Sequence, residues 1–176
     1  MEGLQGQLLV ASPALRDPNF RRTVILVVHH DADGAMGIVL NRPSDAEAQP
    51  ILPDLADALA DPRVGVGGPV APTSVLVVAE FARPDEAGLV VFEDVGLFGE
   101  ETEPSAAARA RVFAGYAGWG EGQLEAELEE GSWIVEPAHV EDVFAAPGDD
   151  LWGAVLRRKG GQYLLVATMP DDPSLN

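Results

Sequence analysis

The sequence predicts an α+β fold: a single domain, residues 1–176, with a largely antiparallel sheet and three or four flanking helices. Three observations carry that expectation. Apolar runs of strand length come in hairpin-spaced pairs rather than alternating with helices, as a doubly wound parallel sheet would require. Closely spaced glycines at 67, 68, 115, 118, 120 and 122 interrupt those runs, marking backbone that bends sharply or is approached closely. A length of 176 residues with 47% hydrophobic content suits one domain that buries a proper core.

The elements follow in order. Leu8 to Ala11 is a short apolar strand closed by the turn Ser12-Pro13. Arg16-Asp17-Pro18-Asn19-Phe20-Arg21-Arg22 carries turn chemistry and two arginines that flank the next strand. Thr23 to His30 is apolar on both alternating faces, which predicts a central strand, and the short loop Asp31-Ala32-Asp33-Gly34 returns it as Met36 to Leu40 in a hairpin. Asn41-Arg42-Pro43 stops that strand, and residues 44–50 read as a polar loop. Pro53 to Ala60 opens with proline and spaces its leucines by four, a short helix. Val64 to Val70 is too rich in glycine to build core and suits close backbone contact with a neighbour. Val75 to Glu80 and Leu89 to Phe92 are strands around the turn Arg83–Glu86, and Gly99 to Ser105 is a loop.

Arg109 to Ala117 predicts a strand leading into the turn Gly115-Tyr116-Ala117-Gly118-Trp119-Gly120-Glu121-Gly122. A helix, Gln123 to Glu130, follows, with Gly131 at its end. Trp133 to Glu136 is a strand stopped by Pro137; Ala138 to Phe144 and Asp149 to Arg158 are helices; Tyr163 to Thr168 is a closing strand, and Asp171 to Asn176 a polar tail. The glycine spacing gives neither G-x-G-x-x-G nor a P-loop, and Glu121, Glu125, Glu127, Glu129 and Glu130 would repel a phosphate there.

Composition excludes several function classes. Eleven basic residues against 29 acidic give a net charge of −18, which disfavours duplex DNA and anionic membranes at long range. With no cysteine there is no disulfide, thiolate nucleophile or thiolate metal site. No signal-like N-terminus and no membrane-length apolar run appear, so a soluble cytoplasmic protein is expected, a monomer or weak homodimer.

Chemistry is sparse. His29 and His30 are adjacent strand residues that point to opposite faces and cannot share a metal, and His139 starts a distant helix; capping or core roles suit all three better. No serine sits in a G-x-S-x-G elbow. Asp31 with Asp33, or Glu121 with Glu125, could pair for acid–base work, but 29 acids make proximity common. No cofactor or metal is called for. Tyr116 and Trp119 beside bare backbone make either a core plug or the floor of a groove.

Several blocks taken together resemble the AlgH/YqgE family of bacterial proteins: Leu8-Leu9-Val10-Ala11-Ser12-Pro13, Asp17-Pro18-Asn19-Phe20, Gly34 to Pro43, Gly67-Gly68-Pro69-Val70, Gly115 to Gly120, Gly122-Gln123-Leu124-Glu125 and Asp172 to Asn176. The resemblance spans almost the whole chain, leaving out Ser44–Arg63 and Arg83–Ala108. It implies a bulged antiparallel sheet that curls toward a partial barrel, and a regulator of transcription. Two functions are therefore expected: a binding or regulatory module acting through a protein partner or a small ligand, or a carboxylate-dependent enzyme on a small substrate. The expected site is a groove at one end of the sheet, formed where Asn41-Arg42, Gly67-Gly68 and the turn Tyr116, Trp119, Gln123 meet, with Glu125 beside it. Arg42 is the cation placed to hold an anion there, unless it pairs with Glu121 or Glu125 and the glycines merely let two turns pack.

Overall fold

The computed structural model describes residues 3–146 and 150–170. Ten strands form one sheet: β1 Gln7–Ala11, β2 Val24–Asp31, β3 Gly34–Val39, β4 Pro43–Glu47, β5 Arg63–Val66, β6 Val70–Phe81, β7 Leu89–Phe92, β8 Val95–Leu97, β9 Ala107–Trp119 and β10 Trp133–Pro137. The helices are α1 Gln123–Glu129, α2 Val140–Val143, α3 Leu151–Lys159 and α4 Tyr163–Ala167, with short 3-10 segments including Pro53–Ala58. The main path runs β10-β1-β2-β3-β9-β6-β8-β7, antiparallel throughout, and β5 alone joins β9 in parallel. The sheet is open but curled: Gln5 Nε2 donates to the Val90 carbonyl at 3.0 Å, linking the start of the chain to edge strand β7. The α+β class is as predicted.

Period-2 alternation explains why the first two strands are apolar on both faces. Leu8, Val10, Val24, Leu26 and Val28 face the main core, with Trp152, Val155 and Leu156 of α3. Leu9, Ala11, Ile25 and Val27 face the opposite way, into a second core that includes Leu124 of α1. A third cluster, Val77, Ala79, Phe81, Ala110 and Val112, packs under Leu55 of the 3-10 segment. The hairpin β2–β3 forms as predicted, closing at Asp31 opposite Gly34.

Beyond Gly37, which pairs with Ala117, β3 and β9 part. Gly67 fills the fork: its carbonyl accepts from Val39 N and its N–H donates to the Ala114 carbonyl, at 2.9 and 2.8 Å. A Cβ on Gly68 would fall onto the Tyr116 backbone, and Gly68 has φ +153, so glycine is demanded by both space and conformation. The expected close contact of the Val64–Val70 stretch is met. Opposite it, Gly115 (φ +78) shifts the pleat of β9, so the face away from the main core is lined by Ala110 and Val112 before it and by Ala117 and Trp119 after it.

Four expectations need correction. Gly115 to Trp119 is not a turn but the end of β9, where Gly115 serves close approach to the Gly68 carbonyl; only Gly120 to Gly122 turns the chain, and Gly122 takes φ +72 before α1. Residues 44–47 of the expected 44–50 loop are strand: Pro43 opens β4, tolerated as a first strand residue, opposite Gly65. Arg63–Val66 and Val95–Leu97 are strands too, short and glycine-containing, which hid them. Tyr163 to Thr168 is not a closing strand. The run forms α4, packed on α3 after Gly160 and Gly161 turn the chain with φ +76 and +59; a five-residue apolar run has no period long enough to separate helix from strand. The tail Asp171–Asn176 lies outside the described residues.

Candidate anion-binding site

The segment between β1 and β2 is a compact loop. Asp17 starts it: its carboxylate accepts from Asn19 N at 2.8 Å, and its carbonyl accepts from the amides of Phe20 and Arg21. Arg22 ends it with φ +56, a left-handed conformation that costs a non-glycine residue about 1–2 kcal/mol. Two side chains from the end of β3 hold that conformation. Asn41 Oδ1 accepts from Val24 N and Asn41 Nδ2 donates to the Arg22 carbonyl, both at 2.9 Å, so the amide stands in for a strand. Arg42 Nη1 donates to the Pro18 carbonyl at 3.2 Å, and its Nη2 donates to the Arg21 carbonyl.

The strapped loop faces the start of α3. Asp150 caps that helix, accepting from Gly153 N at 3.0 Å, and Trp152 is buried with its indole N–H donating to the Ala11 carbonyl at 2.8 Å. The Arg22 guanidinium lies 3.9 Å from the Trp152 ring centroid and donates to the Met169 carbonyl at 3.0 Å. Between loop and helix opens a cleft of about 580 Å³ lined by Arg16, Arg21, Arg22, Arg42, Asn41 and Pro18 on one side and by Asp150, Leu151 and Trp152 on the other. The chain has eleven cations, Lys159 being its single lysine, and four of the ten arginines meet here. Guanidinium forks match carboxylate and phosphate geometry, so the arrangement can hold an anion.

The expected groove is divided by the fold. Asn41 and Arg42 reach Gly67 through Val66 N, which donates to the Arg42 carbonyl at 2.6 Å. Trp119, however, pairs with Ala35 at the far end of β3. Seven residues at strand rise put Arg42 roughly 20 Å from it. Arg42 also pairs with neither Glu121 nor Glu125, since backbone carbonyls take its guanidinium.

Each remaining candidate has a structural task. Tyr116 is half-buried, with its ring over Gly118. Trp119 is a core plug: its indole donates at 3.1 Å to Glu127 Oε1, which also receives the Trp133 indole at 2.9 Å. Gln123 Oε1 accepts from Gly120 N and its Nε2 donates to Glu127, fastening the turn to α1. Glu125 meets His30. Leu4 N donates to His30 Nδ1 at 2.9 Å, which leaves the ring proton on Nε2 to be donated to Glu125 Oε1 at 2.6 Å. That bond holds the Glu125 carboxyl below its ordinary value. With Nδ1 engaged by an amide, His30 has no free lone pair to act as a base. Asp31 is likewise lowered by its bond to His29. His139 caps α2, as expected.

Sequence reasoning passed over Arg16, Arg21, Arg22 and Trp152. A signal existed: a turn with three arginines in a chain of −18 charge, one of whose blocks, Asp17 to Phe20, came from the same family pattern as Asn41-Arg42-Pro43.

A family sequence pattern described as DUF179, AlgH-like, matches residues 8–164. The chain belongs to the AlgH-like family. AlgH-like relatives include a UPF0301 protein of Streptomyces coelicolor, 47% identical with 100% of this chain and 97% of the relative covered, and one of Thermobifida fusca, 42% identical with 98% and 96% covered. Among solved AlgH-like folds, protein DIP2367 of Corynebacterium diphtheriae superposes with a TM-score of 0.87 at 30% identity, covering 96% of this chain and 93% of that one. The solution structure of AlgH from Pseudomonas aeruginosa gives 0.68 at 29% identity, covering 96% and 95%. Both ends of the cleft, the Asp17–Arg22 loop and Trp152, fall within the matched region.

Proposed function

We propose that this AlgH-like protein is a soluble, cytoplasmic binding module that takes an anionic group of a ligand or partner in the arginine cleft, and that any regulation of transcription runs through that contact rather than through duplex DNA. One observation carries the proposal: Arg16, Arg21, Arg22 and Arg42 converge on one cleft in a chain of −18 net charge. A fold that concentrates scarce cations, and holds one of them in a left-handed backbone to do so, supports a site in which that strain is useful. The surrounding acidity repels a long polyanion such as DNA while leaving a small carboxylate or phosphate group free to enter. A carboxylate enzyme is not favoured, because Asp31, Glu125 and Glu127 are engaged by His29, His30 and two indoles.

Calorimetry with sodium pyrophosphate at low ionic strength tests the proposal. Binding that weakens as salt rises, and that falls about tenfold in Arg16→Gln, is expected. Absence of binding, or binding indifferent to salt and to Arg16, would refute it.

A further inference from the structure

Anion capture leaves open what carries the anion, and the surface beside the cleft bears on this. α4 buries Ala167 and packs Tyr163 and Val166 inward, but leaves Leu164 49% and Leu165 74% exposed; Met169, one turn beyond Leu165, is 45% exposed. The turn continues past the end of α4, with Met169 N donating to the Val166 carbonyl at 3.1 Å. The carbonyl of that same Met169 accepts from Arg22, so the apolar strip ends at the rim of the cleft. On the opposite rim, Arg157 lays its guanidinium along α3 against Gly153, next to the capping Asp150, adding a fifth arginine to the neighbourhood.

The cleft itself offers little apolar enclosure, since only Leu151 and Trp152 among its lining residues, with the ring of Pro18, are apolar, and a pocket that swallows a small molecule is mostly apolar. Apolar area lies outside it instead, on α4. A ligand using both must be extended. Exposed leucines beside a cationic groove complement a segment with acidic and apolar side chains.

We infer that the occupant is an acidic segment of a partner protein that sets its carboxylates among Arg16, Arg21 and Arg22 and a large apolar side chain against Leu165 and Met169. This rests on the cleft binding anions at all, and the test separates the two claims.

The probe is the acetylated, amidated hexapeptide Asp-Asp-Glu-Leu-Glu-Leu, titrated into the full chain beside sodium pyrophosphate and a version of the peptide with serine for both leucines. Peptide binding should fall about tenfold in Arg16→Gln, about tenfold in Leu165→Ser and about tenfold with the serine peptide, whereas pyrophosphate should respond to Arg16→Gln only. Leu165 is exposed enough that its loss leaves folding intact, which a thermal melt checks. Pyrophosphate binding with no advantage for the leucine peptide overturns the inference and leaves the anion site standing. Failure of both ligands overturns both claims. The chain itself runs on from Pro170 into Asp171-Asp172-Pro173-Ser174-Leu175-Asn176, a segment of the same chemistry. Tenfold tighter peptide binding in a variant carrying Asp171→Asn, Asp172→Asn and Leu175→Ser would make that segment the occupant and overturn the partner assignment.

Discussion

Replacing Asn41 by alanine removes the side chain that holds Arg22 in place. Its amide makes two neutral hydrogen bonds at 2.9 Å, each contributing about 1 kcal/mol. Val24 is 0% exposed, so its N–H, left without the Oδ1 acceptor, adds a desolvation cost of about 1–3 kcal/mol. Against this, the loop is freed to relax the left-handed Arg22, recovering about 1 kcal/mol. The expected net loss is about 2–4 kcal/mol, or roughly 4–16 °C in melting temperature for a domain of this size. Urea denaturation followed by tryptophan fluorescence measures it, because Trp152 floors the cleft and reports the loop. Asn41→Asp keeps the acceptor but sets a carboxylate against the Arg22 carbonyl, so it should not restore stability. A loss under about 0.5 kcal/mol for Asn41→Ala would refute the claim that this amide straps the loop.

Arg42→Ala should cost about 1–2 kcal/mol, since it frees two loop carbonyls, and should weaken pyrophosphate binding; Arg16→Gln should weaken binding with no change in urea midpoint, and equal stability effects would contradict these separate roles. Glu127→Leu leaves the indoles of Trp119 and Trp133, both under a tenth exposed, without an acceptor, and should destabilise by about 3 kcal/mol in the same denaturation assay. Acid stability gives a further check. The Glu125 carboxyl is lowered from 4.5 by the His30 hydrogen bond, so its contribution is present above that value and is lost as pH falls through the lower folded value. Glu125→Gln should flatten the stability profile below about pH 4.5 and leave its shape unchanged at neutral pH; an unchanged acid slope would show that the pair contributes nothing.

The hairpin of Thr23–His30 with Gly34–Leu40 was legible because a run apolar at every position needs both faces covered, and the two cores on either side of β2 supply that cover. The helix Gln123–Glu130 was legible from Gly122 and Gly131, both found with positive φ at its ends. The fork at Gly67 was half legible: glycine signalled close approach, but nothing local to 115–119 says that the approaching partner is another strand rather than a turn. α4 was misread because five apolar residues carry no decisive period, and only the packing against α3 selects a helix. For the site, Asn41 and Arg42 were correctly singled out for their residue types, yet their neighbours were not found. Asp17 to Arg22 lies some twenty positions upstream, and Trp152 over a hundred downstream. Only the pairing of β3 with β2, and the docking of Trp152 on Ala11, bring them together.

The central claim is that the arginine cleft is where this AlgH-like protein engages its ligand. Amide and indole shifts in a two-dimensional proton–nitrogen spectrum, followed during titration with sodium pyrophosphate, test it most directly. The account predicts saturable shifts at Asp17 to Arg22, Asn41, Arg42 and the Trp152 indole, with Gly67, Gly68 and Trp119 unmoved. Saturable shifts centred on the Gly67–Tyr116 fork or the Trp119–Glu125 turn, with the loop unmoved, would contradict it.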